Sequence, residues 1–351
     1  MYSFSCDYLE GCHEEVLKAL CSTNMEQAPG YGEDRFTKEA IREIREACED
    51  DNAAIHFVNG GTQTNQLIID TMLDSFEGVL AADTGHINVH EAGAIEYCGH
   101  KVLTLPSHDG KVAAEDIEKY VHRFYDDGNY EHMVFPGMVY ISHPSEYGTL
   151  YTAAELREIS EVCHENNLKL FLDGARLGYG LTADGADVTL PLIDRLVDVF
   201  YIGGTKVGAL NGEAIVFPGG KEPSHYLTRI KQHGALFAKG RLVGVQFAAL
   251  FREKLYFRIS RNAIEKAMEI RDIFEKAGCR FYIDSPTNQQ FVILENRVIK
   301  DLSNYVEFGF WEEYDETHTV VRFASSWATT EEGIHELRSA VKCCLADRPF
   351  S

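Results

Sequence analysis

Asp198-Val-Phe-Tyr-Ile-Gly-Gly-Thr-Lys-Val-Gly208 and, upstream of it, Leu170-Phe-Leu-Asp-Gly-Ala-Arg176 decide the fold. Each is a short apolar run that ends at once in small residues and one reactive side chain, Lys206 in the first and Asp173 in the second. An apolar run bounded by glycine reads as a buried strand, and the Gly, Ala or Thr around its last residue leaves room for a flat group beside the backbone.

Outward from these two runs, residues 53–217 alternate β-branched or aromatic segments with amphipathic helical stretches, the mark of a wound, mainly parallel sheet. Seven strands are expected: Ala54–Val58, Val79–Ala82, Lys101–Leu105, Met138–Ser142, Lys169–Leu172, Val199–Ile202 and Ala214–Phe217. Thr152 starts the helix before the fifth strand, Glu155 can reach back to complete a capping box, and Leu156, Ile159, Val162 and Cys163 form its apolar face. After Phe217 the rhythm breaks at Pro218-Gly-Gly220 and long helical stretches follow. Strand-like segments at Arg280–Ile283, Gln290–Leu294 and Val320–Phe323, with a last helix after Thr329, then suggest a small α+β domain.

Composition bounds the function. The 351 residues, 45% hydrophobic and 25% charged, suit a globular protein with a large core. A formal net charge of −22 disfavours nucleic acid and anionic membrane as partners and points to a small molecule. The N-terminus Met1-Tyr-Ser-Phe-Ser-Cys-Asp7 does not resemble a secretory signal, and no apolar run approaches the roughly 20 residues that span a bilayer, so a cytoplasmic location is expected. Nine scattered cysteines without a Cys-x-x-Cys pair suit free thiols in a reducing compartment, with no metal site implied.

Lysine and acid at neighbouring strand ends match the needs of pyridoxal phosphate: a lysine amine bonds the aldehyde, and an acid keeps the ring nitrogen protonated. The pair alone is equally compatible with a buried Lys–Asp contact. Phe57-Val-Asn-Gly-Gly-Thr-Gln-Thr-Asn65 runs from a strand through Gly60 and Gly61 into a helix expected over Thr64–Phe76. Unpaired N–H groups at such a junction, with the Thr62 hydroxyl, can receive one phosphate, although a glycine pair is more often only a tight turn. Neither a Walker ending nor a Gly-x-Gly-x-x-Gly dinucleotide fingerprint occurs here.

Several motifs in order then make the resemblance specific. Tyr31-Gly-Glu-Asp34, Gly61-Thr-Gln-Thr-Asn65, His86-Ile-Asn-Val-His-Glu-Ala-Gly-Ala94, Asp173-Gly-Ala-Arg176, Lys206 and Val321-Arg-Phe-Ala-Ser-Ser-Trp-Ala328 resemble successive motifs of the low-specificity threonine aldolase family of fold-type I pyridoxal phosphate enzymes. The resemblance implies a seven-stranded, mainly parallel sheet in a large cofactor domain over residues 46–240, a small α+β domain over 241–351, and an N-terminal segment, 1–45, packed on the large domain and a neighbouring subunit. By the same resemblance Lys206 carries the cofactor, with Thr205 where the family usually has serine, and Asp173 pairs with the ring nitrogen. Gly60, Gly61 and Thr62 receive the phosphate, and His86 stacks on the ring. Arg176 and Arg322 bind the substrate carboxylate, joined by Cys6 where a serine is common. Arg241 reaches a neighbour's phosphate, which implies a homodimer or homotetramer with shared sites. His132 or His86 removes the β-hydroxyl proton of a β-hydroxy-α-amino acid such as L-threonine or L-allo-threonine, which splits into glycine and an aldehyde. The loop Ser142-His-Pro-Ser-Glu-Tyr-Gly148 departs from the family pattern, so β-elimination and racemisation on the same scaffold stay open, as does a binding protein without catalysis.

Overall fold

The computed structural model describes residues 1–345. After a short first strand, β1 (Tyr2–Phe4), the seven expected runs form β2 (Ala54–Val58), β3 (Glu77–Ala82), β4 (Val102–Leu105), β5 (Phe135–Ser142), β6 (Lys169–Asp173), β7 (Val199–Gly203) and β8 (Glu213–Phe217). They build one sheet in the order β2-β8-β7-β6-β5-β3-β4. Only β8 runs antiparallel to its neighbours. Every residue of β7 and β8 is buried, which is why these strands read as nearly continuous apolar runs. Alternation along the strands splits the core in two. Val139, Ile141, Leu170, Leu172, Phe200 and Ile202 pack on one face of the sheet, and Met138, Tyr140, Phe171, Val199 and Tyr201 on the other.

Two helices locate the site. Thr152 caps the helix Ala153–Glu165 through the expected capping box with Glu155, and its buried residues Leu156, Ile159 and Cys163 fasten it to the sheet. The helix after β2 spans Gly61–Met72 and starts three residues earlier than the sequence pattern suggests, because Gly60 in extended backbone already serves as its cap. That shift puts the first free N–H groups at the glycine pair itself.

The second sheet contains β9 (Arg280–Phe281), β10 (Gln289–Glu295), β11 (Val306–Glu313) and β12 (His318–Ala324), in the order β1-β11-β12-β10-β9. Two of its strands escape the sequence reading. The β11 strand is acidic, partly exposed and bulged between Phe310 and Glu312, while β1 is three residues long and pairs in parallel with β11. The N-terminal segment is therefore divided: β1 belongs to the small sheet. The packing also changes core later than residue 241. The helix Arg241–Phe251 buries Val243, Phe247 and Leu250 in the large core, and the switch falls inside the helix Leu255–Lys276. Leu255, Ile259 and Ile264 face the large core; Ile270, Ile273 and Phe274 join the small one. Among the described residues no helix is long and apolar enough to cross a membrane.

Candidate active site

A cavity of about 1000 Å³ opens at the C-terminal ends of the parallel strands, where a wound sheet leaves a crevice. Asn59 and Gly60 follow β2, Asp83 and His86 follow β3, Ser142 and Asp173 close β5 and β6, and Lys206 follows β7; all line it. Asp173 is buried, so its charge needs compensation, and strand register supplies it. Ser142 pairs with Asp173 across β5 and β6, and Leu172 pairs with Phe200 across β6 and β7. The period of two therefore puts Tyr140, Asp173 and Tyr201 on one face. Tyr201 donates its hydroxyl to Oδ1 at 2.5 Å and Tyr140 to Oδ2 at 2.6 Å. The Ala175 N–H donates at 2.9 Å, and Asn65, from the helix covering that face, donates at 3.2 Å. Burial and the neighbouring Asp173 charge push both phenols well above their ordinary pKa, so they remain protonated donors.

Lys206 shares the cavity with Asp173 and with a second buried acid, Glu213. Burial and the Arg176 charge lower the lysine pKa, against the pull of Asp7, Asp173 and Glu213, which favours the neutral amine a nucleophile needs. Burial raises Glu213 to about 8 although Thr205 and the Gly204 N–H donate to it and Lys206 is nearby. The Thr205 hydroxyl is thus committed, donating to Glu213 at 2.7 Å and accepting from the Gly212 N–H at 3.1 Å. At the start of the 12-residue helix the N–H groups of Gly61, Thr62 and Gln63 have no helical acceptors. A Cβ on Gly61 would lie 3.2 Å from the Tyr201 hydroxyl, so the bare glycine keeps that corner open. A buried amine with a lowered pKa, a buried acid and an open helix end around one cavity fit pyridoxal phosphate.

The remaining site residues divide into those the fold gathers and those it keeps apart. His86 lines the cavity and holds Glu91 through Nδ1 at 2.7 Å; Asn65 donates to the same Glu91 oxygen at 2.7 Å and so joins it to Asp173. Arg176 and Arg322 both line the cavity. Two Arg176 donors are taken by Asp7, at 2.7 and 3.0 Å. Arg322 donates to Gln289 at 3.1 Å and to the Ser5 carbonyl at 2.9 Å, stacks on Trp311, and leaves Nε buried without a partner. Burial and the Arg176 charge hold its pKa below the usual arginine value.

His132 does not line this cavity. It is exposed on the one-turn helix Tyr130–His132 just before β5, at the N-terminal end of that strand, whereas the cavity opens at the C-terminal ends of the parallel strands. Thr62 is exposed at its helix start, and Cys6 lies beside Asp7 without lining the cavity. Arg241 does not line it either; its guanidinium donates to the carbonyls of Thr23 and Glu26 and lies over the Phe36 ring. The acids Asp7, Glu91, Glu146 and Glu213 had no assigned role in the sequence reading. Glu91 and Glu146 do stand inside motifs it singled out, but their buried partners are distant in the chain.

Fold-type I pyridoxal phosphate enzymes are built in this way, and the comparisons put the chain among them. The profile of the beta-eliminating lyase family matches residues 4–294, and the chain belongs to that family. It is similar to the solved threonine aldolase of Leishmania major, with a TM-score of 0.95 and 41% identity over 98% of this chain and 100% of that one. A low specificity L-threonine aldolase from a Pseudomonas species is 27% identical over 347 residues, 98% of each chain. The histidinol-phosphate aminotransferase of Clostridium acetobutylicum shares the fold, with a TM-score of 0.73 and 14% identity over 99% of this chain and all of that one.

Proposed function

We propose that the protein is a pyridoxal-phosphate-dependent aldolase that splits L-threonine, L-allo-threonine or a related β-hydroxy-α-amino acid into glycine and an aldehyde. The observation that carries this reading is the convergence of Lys206, Asp173, His86 and Arg322 on one cavity, in a chain similar to proteins named threonine aldolases. When bound, pyridoxal phosphate supplies the aldehyde that Lys206 bonds and a conjugated ring that accepts the electrons of the breaking Cα–Cβ bond.

The chain's own residues do the rest. Asp173, held by Tyr140, Tyr201 and Asn65, receives the ring nitrogen in a fixed position. The N–H groups after Gly60 would receive the phosphate, and His86, oriented by Glu91, would hold the ring. Arg322 takes the substrate carboxylate, while Arg176, already neutralised by Asp7, shapes the same wall. Fixing the carboxylate sets which Cα bond stands free to break. Lys206, whose pKa burial and the Arg176 charge lower, would stand where it could move a proton to or from Cα.

The protein works in the cytoplasm as a homodimer or homotetramer, in which the face around Arg241, whose guanidinium is held by the Thr23 and Glu26 carbonyls, meets a second copy. Exposed Leu9, Leu17, Met25, Tyr31 and Leu242 support such a contact. The test is to load the purified protein with cofactor and feed it L-threonine, L-allo-threonine, phenylserine and serine in turn. Glycine and aldehyde in equal amounts from a β-hydroxy substrate bear the reading out. Pyruvate from serine, with no aldehyde from any substrate, replaces it with β-elimination.

A further inference from the structure

Of the two acceptors that the sequence suggested for the β-hydroxyl proton, His132 does not line the cavity and His86 does, and the divergent loop after β5 supplies a third candidate. Glu146 in that loop is buried, 8% exposed, and lines the cavity. Its Oε1 accepts from the Ser142 hydroxyl at 2.6 Å and from the His86 N–H at 3.0 Å, so two donors fix the carboxylate. Among the described residues no other side chain donates to Oε2, and the carboxylate belongs to the cavity lining. We propose, resting on the cleavage reading above, that Glu146 is the catalytic base that takes the proton from the substrate β-hydroxyl.

The balance is simple. The β-oxygen loses its proton to Oε2 and forms a carbonyl with Cβ, the Cα–Cβ pair of electrons passes to Cα, the aldehyde departs, and one proton returned to Cα completes glycine. The two histidines of the cavity have other positions: His86, oriented through Nδ1 by Glu91, takes the face of the cofactor ring, and His90 is exposed at the rim beside the cationic Arg322 and Arg176.

The groups facing Glu146 poise it. Burial raises its pKa, and the Asp173 charge adds to this, whereas the Ser142 and backbone hydrogen bonds and the His86 charge lower it. Arg176 from the helical turn after β6, and the phenols of Tyr140 and Tyr151, also face it. A base works best with a pKa drawn toward the working pH, above the roughly 4.3 of a free glutamate. Cleavage should therefore fall on an acid limb that lies above the ordinary carboxylate range.

The experiment follows two reactions of the cofactor-loaded protein across pH. One is aldehyde release from L-threonine; the other is exchange of the glycine α-proton with deuterated water, which involves no hydroxyl. Glu146→Gln should lose about 100-fold or more of cleavage and its acid limb, yet only a few-fold of exchange. Ser142→Ala, stripped of one donor to the ionised form, should move the limb to higher pH. Infrared difference titration of the protein without substrate should show a carboxyl band that Glu146→Gln lacks. Cleavage within about threefold of wild type in Glu146→Gln, a surviving acid limb, or equal loss of both reactions would overturn the assignment. Wild-type protein that exchanges glycine but releases no aldehyde from any β-hydroxy amino acid overturns the cleavage reading, and the base assignment with it.

Discussion

Replacing Asp7 by asparagine should cost about 2–4 kcal/mol of stability at neutral pH, the lower figure on the order of the linkage contribution and the upper of the loss of a buried ion pair. Asp7 is 0% exposed, so solvent screening does not reduce the figure. Its carboxylate takes two hydrogen bonds from Arg176 and one, at 2.9 Å, from Asn288. Burial by itself would raise its pKa, but the Arg176 and Lys206 charges and these hydrogen bonds win, lowering it from 3.8 to about 2. A depressed folded-state pKa means stability that is present above the unfolded value near 3.8 and lost as pH falls through about 2. That difference is on the order of 2 kcal/mol, and asparagine also leaves the buried Arg176 charge uncompensated, which pushes the cost upward. The assay is urea unfolding followed by circular dichroism at fixed protein concentration and pH 7, without added cofactor so that ligand mass action does not enter. A double-mutant cycle with Arg176→Gln should return a coupling of at least about 2 kcal/mol. A loss below about 1 kcal/mol, or additive single and double variants, would refute the reasoning that this buried pair anchors the N-terminal segment in the cavity wall.

Asp173→Asn should fold, since the amide oxygen of the isosteric side chain still accepts two of the four hydrogen bonds, but turnover should drop about 10²–10³-fold; wild-type turnover would remove Asp173 from the mechanism. His132→Ala should change steady-state cleavage less than about twofold, given its exposure at the N-terminal end of β5, whereas His86→Ala should weaken cofactor retention in equilibrium dialysis; the reverse ranking would restore His132 to the site. Gly61→Ala places a methyl 3.2 Å from the Tyr201 hydroxyl, and cofactor affinity in the same dialysis should fall by about tenfold, or about 1.4 kcal/mol. Unchanged affinity would mean that the glycine corner does not face the cofactor.

What could be read from the chain follows a physical divide. The central strands of the large sheet were legible because a strand buried on both faces is nearly continuous in apolar residues, as β7 is, and the edge strand β2 because β-branched and aromatic residues punctuate it even where it is partly exposed. Lys206 and Asp173 were legible because each ends such a strand among small residues. The β11 strand was not, since one partly exposed face lets it carry Glu307, Glu312 and Glu313. Nor was the commitment of Arg176, whose partner Asp7 lies 169 residues away in sequence and meets it only after the small sheet has drawn in β1. Glu91 and Glu146 show the same limit: a sequence displays an acid, but whether it is buried and which donor it meets depends on contacts such as Glu146 with the His86 N–H, 60 residues apart. His132 shows the converse, a residue whose spacing suits a motif but whose position before β5 puts it at the N-terminal end of the strand.

The most direct test of the central claim is to load the purified protein with pyridoxal phosphate, reduce with borohydride, digest it and locate the modified lysine by mass spectrometry. The account predicts label on Lys206, and its loss together with all cleavage activity in Lys206→Ala. Label concentrated on Lys221, Lys231 or Lys239, with Lys206 unmodified, would contradict it.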